Sequence, residues 1–518
     1  IGSFHINMKE EKVTSLTTYP GYHLLVRAAL DKENDYRDYL DLPFTYSVAD
    51  TSIAKVDKFG QVTGLVEGTT TLTAKAANGK STKCKLTVTK KPEDIVKDEM
   101  VALGMANPVG YGGYRSSEYF MDSDYSAVDE TQLIALPNNE LGIFNRIELE
   151  NGSQKLEATI YNKEYKVVDT RAVALPYTSW GGIILGEDGC YYVAVGQSNI
   201  EESDTKVVFA IIKYDLDFKE LDRCDISDCY SSIPFYASNC SMAMKDSTLV
   251  VYTARGRYKD EGGVTHQSNI ALVIDTNTMK QYDTFVSTFS HVSHSFNQLV
   301  KYDKDNLIYV DHGDGDPRAV VLNSYIDFNT MITKDYVEVI GGNNNLLNIE
   351  GNSGDNDTGT RVGGLEIGTY HNLVAGVSIP HGSLKGGVRD YETKNIFVAL
   401  ASKDGSSSEL KWLTNYKEGG ASGVLNLRMV KINDNKFALI YFKYNNENKY
   451  TGLILIDSNG KVLKNKEWKG TFDGTVQPII YEHDIIWIER KAGYIKNNDY
   501  PELEYRNNFI RVDVSGVN

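Results

Sequence analysis

Six of the nine histidines fall between residues 266 and 381, and four of them, His266, His291, His294 and His312, lie within 47 positions. An imidazole titrates near neutrality, so such a cluster suits proton transfer, metal ligation or hydrogen-bonded recognition. The surrounding texts are Gly263-Val-Thr-His-Gln-Ser-Asn-Ile270, His291-Val-Ser-His-Ser-Phe-Asn-Gln298 and Val310-Asp-His-Gly-Asp-Gly-Asp-Pro-Arg318. They nominate His266, Gln267, His294, Asn297, Gln298, Asp311, His312 and Arg318 as ligand-binding candidates. Asp311, Asp314 and Asp316 stand at near-alternate positions in a glycine-rich stretch, as a hard cation such as calcium would want. A second acidic loop, from Gly351 to Gly359, offers Asp355 and Asp357 to the same kind of ion. Neither loop has the bidentate Glu that closes an EF-hand, and solvated turns compete with calcium as the reading. The same aspartates could supply the acid and base of glycoside cleavage, with Arg318 and His312 orienting the substrate. No Gly-x-Ser-x-Gly elbow, His-Glu-x-x-His helix, phosphate loop or sialidase asp-box is present. A non-catalytic protein is therefore the expectation.

The elements that must position these residues are strands. The 518-residue chain has 34 Tyr, 44 Gly and only 11 Pro, a composition that favours many short strands divided by tight turns. Hydrophobic residues are 41% and charged residues 24% of the chain, so it should fold rather than remain disordered. A net charge of −16 would repel phosphate backbones and makes nucleic acid a poor partner. No run of 18 apolar residues exists, and the first residues lack the order of a signal peptide, so membrane insertion is not expected. The five cysteines are too few and too scattered for a disulfide framework, and their spacing does not suit zinc; buried thiols are expected.

From Val13 to Lys90 polar and apolar residues alternate in short runs, as in Phe44-Thr-Tyr-Ser-Val48 and Cys84-Lys-Leu-Thr-Val88. Within it, Ile53, Ala54, Val56, Asp57, Gly60, Val62, Gly64, Gly68, Thr69 and Leu72 fall on the pattern of the bacterial immunoglobulin-like domain group 2 family, which the stretch Ser47 to Ala74 closely resembles, and residues 1–90 are read as that domain. Gly60 and Gly68 are expected at turns with positive φ, and Ile53, Val56, Val62, Leu65 and Leu72 between two sheets. The resemblance implies a spacer module of bacterial surface or secreted proteins, and hence an extracellular location.

Residues 91–129 read as a linker, in which Ile95, Met100, Val101 and Leu103 give a helix-like spacing. Residues 130–518 divide into seven strand-rich stretches of about 55 residues: 130 to 175, 178 to 228, 235 to 287, 291 to 341, 360 to 416, 420 to 470 and 474 to 517. Repeated four-strand units of this size indicate a β-propeller. The fold expected is all-β: a small immunoglobulin-like β-sandwich followed by a β-propeller, seven blades favoured. Ser293 to Gln298 would then be an innermost strand whose polar side chains are hydrogen-bonded between neighbouring blades, and the Gly363-Gly364 pair would serve blade packing. The combination resembles surface proteins of anaerobic gut bacteria, among them immunoglobulin-binding B-cell superantigens. That resemblance implies an adhesin-like protein whose partner is a host glycoprotein, possibly immunoglobulin, or a glycan. The alternative is a carbohydrate-binding lectin or a glycan-active hydrolase or lyase. Tyr111, Tyr114 and Tyr500, in loop-like text, complete the candidate contacts, because tyrosine offers large contact area with few torsions.

Overall fold

The computed structural model describes residues 4–8, 11–20, 23–30, 44–57, 60–76, 79–90, 100–109, 126–149, 151–282, 292–315, 317–333, 340–355, 358–380, 394–416, 422–445, 448–470, 472, 474–496 and 501–517. Near its start, Ser15–Thr18, Ser81–Val88, Gly68–Ala76 and Phe44–Val48 form one sheet, and His23–Leu25, Gln61–Gly64 and Ala54–Val56 form another. Alternation builds the core: Cys84, Leu86 and Val88 point inward with Leu16, Val26, Val62 and Leu72, while Lys83 and Lys85 face water. Gly60 has φ +85°, as its turn requires. Gly68 differs from the expectation. It opens a strand without positive φ, and it is small because a Cβ there would stand 2.8 Å from the Ile53 side chain.

Phe4–Met8, Glu11–Val13 and Arg27–Leu30 form a third small sheet. The strands from Thr131 onward, together with Met100–Val109, contain seven four-stranded antiparallel meanders, the third and fourth of which are joined, with Ser231–Pro234, in one nine-stranded sheet. The first runs from Thr131 to Leu175, the second from Ser179 to Ile226, the third from Ser241 to Gln281 and the fourth from Ser293 to Asn348. The fifth spans Arg361 to Trp412 and the sixth Ser422 to Lys469. The seventh combines Ile479–Tyr481, Asp484–Lys496 and Pro501–Asp513 with Met100–Val109, which pairs along the last of these. Residues 100–109 are therefore a strand. The helix-like spacing across Met100 to Leu103 was misleading because the partner that selects the extended form lies some four hundred residues downstream.

Each meander shares an apolar core with the next. Phe144 and Leu156 of the first pack on Tyr191, Val193 and Ile212 of the second, and further clusters join second to third, third to fourth, fourth to fifth, fifth to sixth and sixth to seventh. Ile486, Ile488 and Phe509 then return to Leu141 and Ile143 of the first. The leading strands also touch one another in this cyclic order. Second and third strands are almost wholly buried, while fourth strands such as Val462–Lys469 face water. Cyclic cores with leading strands innermost are the arrangement of a β-propeller, and each meander is called a blade below.

The innermost strands approach closely. A Cβ on Gly363 would lie 2.3 Å from the Leu427 carbonyl oxygen of the next blade, and one on Gly364 would lie 2.5 Å from the Met429 Cβ. Gly363→Ala must therefore push two innermost strands apart. It should lower unfolding stability by about 1–3 kcal/mol in urea titration, and an unchanged midpoint would mean that these strands are not in contact.

Candidate functional site

Of the three histidine-bearing texts, the described parts of the second and third lie where the fourth blade begins, and the first lies on Thr265–Asp275 of the third blade. Strands Ser293–Asp303 and Asn306–Gly315 pair so that Ser295 faces Gly313 and, after a bulge, Asn297 faces His312. Strand alternation sends neighbouring side chains to opposite sides. Asp311 turns toward the third blade, where Tyr252 Oη donates to its carboxylate at 2.5 Å; within its own blade Ser295 Oγ and the His312 amide each donate at 2.7 Å. His312 turns toward the fifth blade, with Nδ1 at 3.1 Å from Asn297 Oδ1 and Nε2 at 2.8 Å from Thr358 Oγ1. Asp314, wholly buried, holds His294 Nδ1 at 2.7 Å. The His294 side chain is 24% exposed and its backbone has φ +45°, so this imidazole is the part of the cluster that reaches solvent.

Burial dominates the acid chemistry inside the blade. It pushes Asp311 up to about 7 against the opposing hydrogen bonds from Tyr252, Ser295 and the His312 amide. The same burial raises the Tyr252 phenol well above its ordinary range, with the Asp311 charge adding to it. His294 moves the other way for a histidine in a partly buried site: its hydrogen bond to Asp314 outweighs desolvation and favours the imidazolium. A protonatable imidazole oriented by a buried carboxylate can donate to an anionic or carbonyl group at the surface.

The other nominated residues have separate fates. Gln267 lies across the blade boundary, accepting from the Ser295 amide and donating to the Ser295 and Tyr236 carbonyls at 2.6 and 3.1 Å. Asn297 accepts from the Val362 amide at 2.9 Å, and Gln298 Nε2 donates to Ser295 Oγ at 2.6 Å. Gln267, Asn297, Gln298, Asp311 and His312 are buried, and their polar groups satisfy one another and the backbone at blade boundaries. His266 lies outside the network, pairing with Asp260 at 2.8 Å in an exposed hairpin. Arg318 donates to the carbonyl oxygens of Glu350 and Asp355 at 3.0 and 2.6 Å and so clamps the acidic loop.

The described members of the calcium reading have other partners. Asp311 and Asp314 are engaged by different partners, Asp311 by Tyr252 and Ser295 and Asp314 by His294, and Asp355 takes part through its carbonyl. Among the described residues no three metal-ligating side chains converge. Asp316, Asp357, Tyr111, Tyr114 and Tyr500 lie outside the described residues.

All innermost strands start at the same end of the ring, here called the upper face. The third blade adds residues there that sequence reasoning missed. Strand Ser231–Pro234 runs beside Arg255, Gly256 and Arg257. Tyr230 and Tyr236 are 46% and 40% exposed. Tyr230 packs on Tyr258 with ring centroids 4.7 Å apart and lies under the Arg257 guanidinium at 5.8 Å. The available signal was Arg-x-Arg in a strand, which puts both guanidiniums on one side.

The fold and this face define an immunoglobulin-like module joined to a β-propeller with a polar, aromatic upper surface. Residues 30–87 match the family model of the bacterial Ig-like domain (group 2), a type typical of surface or extracellular proteins. No curated protein matches the chain. Among solved structures, a quinonprotein alcohol dehydrogenase-like protein from Bacteroides thetaiotaomicron is 11% identical, with a TM-score of 0.36, over 90% of this chain and 99% of its own. A polysaccharide lyase is 7% identical, with a TM-score of 0.38, over 82% of this chain and 96% of its own. The extracellular domains 1-2 of Drosophila semaphorin 1b are 8% identical, with a TM-score of 0.38, over 75% and 86%. The fold assignment rests on the strand order and the cyclic cores rather than on these likenesses. Among the described residues no helix is long and apolar enough to cross a membrane.

Asp311 supplies a pH signature. Its ordinary value is 3.8 and its folded value about 7, so between these the native state holds a proton that the unfolded state releases, and stability falls as pH rises through the window. Above about 7 the contribution is flat. Asp311→Asn should remove this slope, so that urea midpoints of parent and variant converge or cross between pH 4 and 7; parallel profiles would mean that the carboxyl is ionised throughout.

Proposed function

We propose that the chain is a non-catalytic, extracellular bacterial binding protein whose propeller recognises a host glycoprotein or glycan with its upper face. The observation that carries this reading is the division of the polar cluster. Asp311 and His312 are consumed inside the blade, while Tyr230, Tyr236 and His294 reach solvent on a backbone that inter-blade hydrogen bonds hold in place. Preorganised aromatic side chains bind protein surfaces and sugar faces at small entropic cost. The immunoglobulin-like module then serves as a spacer that carries the propeller away from the envelope.

A second reading, glycan-active chemistry, draws on one observation, the half-buried His294 imidazole oriented by Asp314. The two separate in one set of measurements. The intact chain should retain a component of mucosal fluid or bind on a glycan array without turnover. Tyr236→Ala should weaken that binding at least tenfold while leaving the melting temperature within a few degrees. Enrichment of immunoglobulin heavy chains would identify the partner expected from resemblance. Turnover of a glycan that disappears in His294→Ala would replace recognition by catalysis, and failure to retain any host component would remove the binding reading.

A further inference from the structure

Arg255 and Arg257 occupy one side of the strand Thr248–Lys259 at its upper end, facing the second blade. Arg255 is mostly buried. One terminal nitrogen donates to the Cys229 carbonyl oxygen, and its Nε is buried with no hydrogen-bond partner among the described residues. Among the described residues no carboxylate lies within ion-pair distance of either guanidinium, although most other arginines there have one, such as Arg146 with Glu130 and Arg223 with Glu220. Desolvation is the largest influence on Arg255 and lowers its pKa, with the neighbouring Arg257 charge acting in the same direction. A mostly buried cation beside a second cation, with a donor left unused, is an arrangement that an anion would complete.

The adjoining loop gives an independent indication. Asp228, Tyr230, Phe235 and Ala237 all have positive φ, between 47° and 52°, a left-handed backbone that non-glycine residues adopt at a cost and that concentrates at binding sites. The result is to place the Tyr230 ring, nearly half exposed, beside Arg257.

We infer that Arg255 and Arg257 form an oxoanion site that takes a carboxylate or sulfate group carried on a sugar, with the Tyr230 ring as the platform for the sugar face. The planar guanidinium suits both anions because each presents two oxygens at matching separation. The sugar part rests on the glycan reading above; the anion part stands without it.

The first probe is sodium sulfate, titrated against sodium chloride at equal ionic strength with melting temperature as the readout. The intact chain should show a saturable rise. Arg257→Gln should weaken its apparent affinity at least tenfold, and Arg255→Met should abolish the saturable part. An equal rise in the parent and in Arg257→Gln overturns the site, whether or not Arg255→Met folds. Calorimetry with glucuronate, a sulfated galactose and neutral galactose then distinguishes the source of the anion. Binding of an acidic sugar that is lost in Arg257→Gln supports the proposal and names the group. Equal binding of neutral and acidic sugars, unchanged in Arg257→Gln, overturns the anion site while leaving glycan recognition intact. A sulfate response without binding of any sugar overturns the platform role of Tyr230 and counts against the glycan reading.

Discussion

An innermost strand of a propeller has a ladder partner on one edge only, and the backbone groups of its other edge must find donors and acceptors from elsewhere. Here the neighbouring leading segments supply them. Gln132 Oε1 accepts from the Ile183 amide at 2.7 Å, Ser241 Oγ from Val300 at 3.1 Å and Asn297 Oδ1 from Val362 at 2.9 Å. Asn239 Oδ1 accepts from Gln298 N at 2.8 Å, and Gln477 Nε2 donates to the Met429 carbonyl at 2.9 Å. Each bond crosses a blade boundary, so the requirement that orders the axis also fixes each blade against the next. The apolar cores between blades supply the driving force, and these short polar side chains set the register.

This constraint explains why polar residues are so dense around residues 290 to 315. Ser295, Asn297, Gln298, Asp311 and His312 stand where two blade boundaries meet the axis, and a buried polar group left unpaired there would cost about 1–3 kcal/mol. Tyr252, Asp311 and Ser295 form one such connection, and His312 with Thr358 forms the next. The exposed residues depend on this base. Gln267 holds the Tyr236 carbonyl and the Ser295 backbone together, so the loop that presents Tyr236 is tied to the strand that presents His294. A rigid interior thus supports a surface whose aromatic and cationic groups need little ordering when a partner arrives.

Local patterns were legible where the deciding interaction is itself local. The continuous apolar run Phe437-Ala-Leu-Ile-Tyr-Phe442 and the turn at Asp457 to Gly460 mark their strands directly, and Gly363-Gly364 was readable as blade packing. Met100 to Val109 was not, because its strand pairs with Pro501–Asp513 and its own text favours a helical spacing. For the cluster, proximity in sequence was a sound guide to proximity in space, but it could not separate the two sides of a strand. Asp311 and Asp314 therefore looked like ligands of one ion and instead serve different partners. Arg255 and Arg257 escaped notice for the converse reason: two arginines in a strand draw attention only when the surrounding carboxylates are known to be elsewhere.

The central claim is that recognition takes place on the upper face, around the third and fourth blades. Hydrogen exchange of the intact chain, with and without an acidic oligosaccharide at saturating concentration, tests it directly. The account predicts added protection confined to residues 228–238, 255–259 and 292–298, with the hairpins at 245–248 and 303–306 on the opposite end unchanged. Protection at those opposite hairpins, with none at the upper face, would contradict it.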